Sequence, residues 1–192
     1  MIKEYPNAIP HYICENIVSQ YGKGLVRAEV APERKDKGDT SILSQRVAEV
    51  KYIWEQTFPF NILMEGISEI TNLPKSHQEA YNLIKYSKGG KYDFHHDAFN
   101  MDDPEHFKIS EGNNRLYSVI IYLNDNFTGG NTSFFHINRI VKPEIGKVLI
   151  FKNLHSDGTF NNDYWHTGEA VASGEKWILT TWVRQKPFRT DV

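Results

Sequence analysis

The sequence predicts an α+β domain, with helices in the first part and strands that close into a sandwich or barrel in the second. Three observations carry that reading. Apolar residues recur at helical spacing within the first 75 residues. From about residue 78 they fall instead into short runs rich in β-branched and aromatic side chains, and glycines punctuate those runs. The 192 residues suffice for one sizeable core. With no linker, repeat or low-complexity segment, 1–192 reads as one domain, 1–75 mainly helical support and 76–192 the strand-rich core.

In HYICENIVSQYGKG, Ile13, Ile17 and Tyr21 recur every four residues and Gly22 offers a stop, which predicts a first helix. LVRAEV then reads as a strand, and APERKDKGDTS as a polar loop without periodicity. Val47, Val50, Ile53 and Trp54 form a stripe in SQRVAEVKYIWEQTF that predicts a second helix. Ile62, Leu63, Ile67 and Ile70 predict a third. AYNLIKYS, YDFHHDAF, RLYSVIIYLND, NTSFFHI, KVLIFKN and KWILTTWVR are the predicted strands, broken at Gly89-Gly90, Gly129-Gly130 and Gly146.

Composition narrows the function. A formal net charge of -2 gives nucleic acid no electrostatic support. No apolar leader follows Met1 and no run of ~18 apolar residues could span a bilayer. The one cysteine, Cys14, cannot form an internal disulfide. Together these predict a cytoplasmic protein without a membrane partner.

The chemistry sits in KYDFHHDAF. On a strand, residues two apart share a face, so His95 and Asp97 project together and His96 points away. Imidazole and carboxylate supply two metal ligands, and a third must come from elsewhere. His11 and His77 lie in or beside the helical half, where exposure is expected. His106 sits in the polar loop DDPEHFK, and His136 and His155 flank turns. His166, in YWHTGEAV before the last strand, is the best candidate. Two histidines and a carboxylate form the facial triad of non-haem Fe(II), which leaves positions open for substrate and oxygen. A His-x-Asp pair is also a common surface hydrogen bond, and zinc is a rival metal, although Cys-x-x-Cys and His-Glu-x-x-His are absent. Ten residues after His166, Lys176 opens an apolar strand; inside a barrel it needs an anion, at a strand end it can reach water. Tyr122 could offer its hydroxyl to the same anion or simply fill the core.

YSKGGKYDFHHDAF, RLYSVIIYLNDNFTGGNTSF, GKVLIFKN and WHTGEAVASGEKWILTTWVR, in that order over about 86–184, resemble the prolyl 4-hydroxylase group of Fe(II)- and 2-oxoglutarate-dependent oxygenases. The resemblance implies a double-stranded β-helix (jelly-roll) core with flanking N-terminal helices. It implies His95, Asp97 and His166 as iron ligands and Lys176, with Tyr122 and Tyr86, as the 2-oxoglutarate site. Arg115 and Trp182 match positions at or near the peptide substrate. Arg115 and Tyr122 have opposite strand parity, so both reach one site only through a bulge or at the strand's mouth. The implied reaction consumes O2 and 2-oxoglutarate, releases succinate and CO2, and hydroxylates peptidyl proline, with ascorbate as reductant. Ser118 stands where the group often has threonine and Ala170 where it often has proline. The same chemistry on a free amino acid, another side chain or a nucleobase is the alternative, as is a non-catalytic jelly-roll binding module. The loops at 31–45 and 98–114 could lid a peptide groove. Oligomeric state is not legible.

Overall fold

A computed structural model describes residues 1–28 and 46–190. The strands are β1 (Ile2–Tyr5), β2 (Val26–Arg27), β3 (Arg46–Val47), β4 (Glu49–Ile53), β5 (Tyr81–Tyr86), β6 (Lys91–His95) and β7 (Arg115–Tyr122), then β8 (Thr128–Gly129), β9 (Thr132–Phe134), β10 (Arg139–Val141), β11 (Val148–Lys152), β12 (His166–Gly168), β13 (Val171–Ser173) and β14 (Lys176–Arg184). The helices are α1 (His11–Tyr21), α2 (Phe60–Thr71) and α3 (Pro104–Ser110). A seven-stranded sheet ordered β1-β11-β7-β14-β5-β4-β2 faces a five-stranded sheet ordered β10-β9-β12-β6-β3, all antiparallel. This is the expected jelly-roll.

Strand alternation divides the core in two. On β7, Val119 and Ile121 face α1 and α2, where they pack with Ile13, Ile17, Phe60, Leu63 and Leu83. Ile120 and Tyr122 face the opposite sheet and pack with Phe134, Phe151 and Ile178. Both faces of the large sheet are therefore covered, and β5, β7, β11 and β14 read as nearly continuous apolar runs. α1 ends at Gly22, whose N–H bonds the Val18 carbonyl. α2 ends on Asn72 in the left-handed conformation. Gly129, Gly130 and Gly146 all hold positive φ, and a Cβ on Gly146 would lie 2.1 Å from the Ile9 carbonyl oxygen.

Several expectations need correction. Residues 46–53 are not helical: their stripe belongs to β3 and β4, with Val50 and Ile53 buried and Trp54 exposed beyond the strand. Val50 and Ile53 fit both periods over so short a span, and β-branching together with the free edge of β5 decides for strand. Among its described residues, the region 1–75 thus holds four short strands beside its two helices. His77 is buried, its Nδ1 hydrogen-bonded to the Arg184 carbonyl at 2.9 Å, where exposure was expected. His106 lies on α3, which Asp103 caps by accepting from Glu105 N–H and His106 N–H, with Pro104 at the first helical position. The predicted loop at 31–45 lies outside the described residues. Among the described residues, no helix is long and apolar enough to cross a membrane.

Candidate active site

Between the two sheets opens a cleft of 710 Å³. His95 ends β6 and His166 begins β12, and the two are register partners across the smaller sheet, with ring centroids 4.2 Å apart. Asp97 lies two residues beyond the end of β6, so shared strand face is not what brings it to His95. The chain bends at Asp97 and Ala98. The Arg115 guanidinium, donating to the Asp97 carbonyl at 3.4 Å, meets the bent segment on its far side.

One ligand-capable atom from each of His95, Asp97 and His166 lies within 4.8 Å of the others. Both imidazoles are oriented in the same way. His95 Nδ1 donates to the Asp93 carbonyl at 2.7 Å, and His166 Nδ1 donates to the Tyr164 carbonyl at 2.9 Å. A carbonyl only accepts, so Nδ1 carries the proton and the neutral ring presents the Nε2 lone pair. Those Nε2 atoms stand 3.5 and 3.8 Å from the two Asp97 oxygens. Burial, with His95 beside it, pushes His166 down to about 3, so this ring is neutral. Burial alone would raise Asp97, but His166, His95 and the Ser118 hydroxyl outweigh it and hold the carboxyl well below its usual range. The Nε2 edges of two imidazoles and an ionised carboxylate thus converge. That donor set fits a divalent cation, and with three protein ligands among the described residues it leaves coordination positions open.

Lys176 enters from β14. Its ammonium is buried, donates to the Gly130 carbonyl at 2.7 Å, and lies 5.4 and 5.6 Å from the Tyr86 and Tyr122 ring centres. Among the described residues no carboxylate lies within ion-pair distance, and burial pushes its pKa down to about 7. An unpaired buried ammonium is costly unless an anion meets it. The Tyr122 hydroxyl bonds Thr132 Oγ1 at 2.8 Å, and that threonine lines the cleft while Tyr122 sits behind it. Tyr86 lines the cleft and hydrogen-bonds Arg46.

Arg115 and Trp182 line the same cleft. The parity conflict resolves in a bulge. β7 pairs with β14 as Ser118↔Trp182 and Tyr117↔Val183, then skips Leu116 to pair Arg115↔Arg184, which returns Arg115 to the face of Ser118. Its charge is already partnered. Nε and Nη2 donate to the two Glu79 oxygens at 2.8 and 2.9 Å, and Arg184 Nε donates to Glu79 at 2.6 Å. The Arg115 guanidinium lies 3.7 Å from the Trp182 ring centre and 4.8 Å from that of Phe99. Glu79 was missed in the sequence reading because a lone carboxylate before a strand carries no local signal.

The loop at 98–114 forms one wall of the cleft. Asn114 clasps Phe99 through both backbone polar groups, and Arg184 donates to the Asn113 carbonyl at 2.7 Å. The far side of the cleft carries Tyr92, stacked 3.6 Å from His95, with Trp165, His96 and Phe160 beyond it.

Comparison with known proteins matches this geometry. Residues 81–184 match the 2OG-Fe(II) oxygenase superfamily. A probable prolyl 4-hydroxylase 9 of Arabidopsis thaliana is 31% identical over 147 residues, covering 69% of this chain and 50% of the relative. A putative prolyl 4-hydroxylase of Acanthamoeba polyphaga mimivirus is 33% identical over 128 residues, covering 66% of this chain and 53% of the relative. The chain thus spans about half the length of these relatives. Among solved structures, a viral collagen prolyl hydroxylase from Paramecium Bursaria Chlorella virus-1 superposes with a TM-score of 0.75 at 21% identity over 95% of each chain. A Pseudomonas putida prolyl-4-hydroxylase superposes with a TM-score of 0.66 at 18% identity, over 96% of this chain and 92% of its own. With more than half its length matched and the ligand constellation at its centre, this chain belongs to the 2OG-Fe(II) oxygenase superfamily.

Proposed function

We propose that the protein is an Fe(II)- and 2-oxoglutarate-dependent dioxygenase that hydroxylates proline within a peptide or protein. The observation that carries the reading is the pairing, in one cleft, of a buried triad of two histidines and a carboxylate with a buried ammonium that no carboxylate among the described residues meets. Bound iron and 2-oxoglutarate supply oxidative decarboxylation to succinate and CO2, coupled to transfer of one oxygen atom of O2 into a substrate C–H bond.

The residues divide that work. His95 and His166 present Nε2 lone pairs fixed by their carbonyl-bound Nδ1–H groups, and Asp97 adds the negative charge that favours a divalent ion. Ser118 donates to Asp97 Oδ2 at 2.5 Å and holds the carboxylate in one orientation. Lys176 neutralises the far carboxylate of 2-oxoglutarate, with Thr132, held by Tyr122, and Tyr86 completing that pocket. Aromatic faces around His95 keep water from the reacting centre. Arg115 and Trp182 wall the substrate side, with the Arg115 charge held by Glu79.

Two relatives are named prolyl 4-hydroxylases, and one similar structure, from Trichoplax adhaerens, is a prolyl hydroxylase in complex with a hypoxia inducible factor peptide. These names support a peptidyl proline as the substrate here. Residues 1–192 act as one catalytic domain, ascorbate keeps the iron ferrous, and the lone buried thiol of Cys14 suits a reducing cytoplasm. The test is turnover. Protein supplied with Fe(II), ascorbate, O2, 2-oxoglutarate and proline-containing peptides should form succinate in step with a one-oxygen mass gain on proline. Succinate without peptide oxidation would transfer the reading to another substrate.

A further inference from the structure

Two buried oxygens in the cleft have no part in the chemistry above. Asn82 on β5 and Thr180 on β14 line it, 3% and 8% exposed, and among the described residues Asn82 Oδ1 and Thr180 Oγ1 have no hydrogen-bond partner. The two residues are register partners, so their side chains leave the large sheet together, with Cβ atoms about 5 Å apart. They share a face with Ile84 and Ile178, and Thr180 pairs on its other side with Ile120 of β7. Neighbouring hydroxyls are satisfied: Thr181 donates to the Glu79 carbonyl at 2.9 Å, Thr132 bonds the Tyr122 hydroxyl, and Ser118 donates to Asp97. A buried oxygen without a partner is costly, and the isoleucines around this pair offer it nothing.

Their place on the strand decides what meets them. One face of β14 presents Lys176, Ile178, Thr180 and Trp182 in turn, about 6.6 Å apart. Lys176 marks the anion end and Trp182 the substrate wall. Trp182 pairs with Ser118, whose hydroxyl holds Asp97, so Thr180 lies diagonal to Ser118 at about 7–8 Å. The pair therefore sits beside the triad, on the substrate side of the anion site. A pyrrolidine ring there brings it only carbon and hydrogen. Hydroxylation puts on that ring one oxygen that both donates and accepts.

Resting on the reaction proposed above, we infer that Asn82 and Thr180 form a product subsite that takes the hydroxyl newly placed on the reacting carbon. The hydroxyl donates to Asn82 Oδ1 and accepts from Thr180 Oγ1–H, so both orphan oxygens gain a partner at once. The unreacted ring satisfies neither, and a site with buried polar groups discriminates against a ligand that cannot pair them.

The experiment compares two peptides of one sequence that differ by a single oxygen, with proline or 4-hydroxyproline at the target position. Calorimetry on the full chain loaded with Zn(II), without 2-oxoglutarate, measures binding with no turnover. The parent should bind the hydroxylated peptide about 10-fold more tightly, the scale of two hydrogen bonds. Thr180→Val and Asn82→Leu should each remove most of that preference and leave the Kd of the proline peptide unchanged or lower. Thr180→Ser keeps the hydroxyl and should keep the preference. Thr180→Val should also melt no lower than the parent, and a large fall would show its oxygen already partnered within the fold and overturn the subsite. Equal Kd values for the two peptides on the parent would leave the pair holding an ordered water only, and so refute it without any variant. A preference that survives both substitutions, or a loss equal for both peptides, would also overturn it. None of these results touches the dioxygenase reading. A parent that binds neither peptide would refute the peptidyl-proline substrate, and the subsite with it.

Discussion

Glu79→Ala should be among the most destabilising single substitutions in the cleft. Glu79 is 8% exposed, and its carboxylate accepts from Arg115 twice and from Arg184 once, at 2.6 to 2.9 Å. Truncation removes three charge-assisted hydrogen bonds and leaves two guanidinium groups facing each other in an aromatic setting. Removing one partner of such a buried pair costs ~3–5 kcal/mol, because the charge left behind is uncompensated. At ~2–4 °C per kcal/mol for a chain of this size, the melting temperature should fall by about 6–20 °C. Glu79→Gln keeps the shape and one acceptor and should lose roughly half as much. The pH dependence has a definite sign. Burial alone would raise the Glu79 pKa, but Arg115 and Arg184 outweigh it and hold it below the usual range. A depressed carboxyl stabilises fully above its unfolded value of ~4.3 and loses that contribution as pH falls through the folded value. The gap between parent and Glu79→Gln should therefore be constant from pH 7 down to about 5 and narrow only in stronger acid. Thermal unfolding followed by circular dichroism at pH 7 and pH 4 measures both. A loss below ~1 kcal/mol for Glu79→Ala, the scale of an exposed ion pair, would refute the argument.

Metal should stabilise the protein without turnover. At 100 times its Kd, Fe(II) or a redox-inert surrogate such as Zn(II) adds ~2.7 kcal/mol, a rise of about 5–10 °C that chelator reverses and Asp97→Ala abolishes. Ser118→Ala should weaken metal binding about 10- to 100-fold by freeing the Asp97 carboxylate and leaving Asn153 Nδ2 only its longer bond to the Arg115 carbonyl, whereas Ser118→Thr keeps the hydroxyl and should stay near the parent; calorimetry with Co(II) reads both. Lys176→Met should raise the KM for 2-oxoglutarate at least ~30-fold yet leave the ligand-free protein as stable or more so. For the parent without ligand, a lysine depressed to about 7 when folded and ~10.4 when unfolded makes stability rise between those pH values, a rise that Lys176→Met should flatten in denaturant titrations.

The triad was legible because its residues sit in dense local pattern. His95, Asp97 and His166 are flanked by glycines and aromatics whose spacing is read directly along the chain, and Lys176 follows His166 at fixed distance. The long strands β5, β7, β11 and β14 were legible for a related reason, since burial on both faces makes them unbroken apolar runs. Four of the seven shortest strands, β8, β10, β12 and β13, were not predicted, since two or three residues are too few for a period to register, whereas β2 and β9 lie inside longer apolar runs. The misread at 46–53 has the same root, for a five-residue strand beside a turn can mimic a helical stripe. Glu79 could not be found at all. Its role depends on Arg115 and Arg184, 36 and 105 residues away, meeting across a bulge.

One electrostatic criterion separates the residues that build the cleft from those that await a ligand. Arg115 and Lys176 are both buried cations that family pattern places near the reaction. Arg115 is closed: Glu79 neutralises it, and Trp182 and Phe99 cover its faces, so its part is to set the wall and to hold the Asp97 carbonyl. Lys176 is open: a carbonyl accepts from it and two tyrosine rings lie beside it, but among the described residues no carboxylate pairs with it. Asp97 is open in the opposite sense: Ser118 donates to one of its oxygens, and the carboxylate faces the Nε2 edges of two imidazoles with no lysine or arginine paired to it among the described residues. A cleft with one unmet demand for a cation and one for an anion is answered at once by a divalent metal and a small dianion. Burial makes each demand expensive to leave unmet, and the pair is therefore stronger evidence for the bound groups than either motif alone.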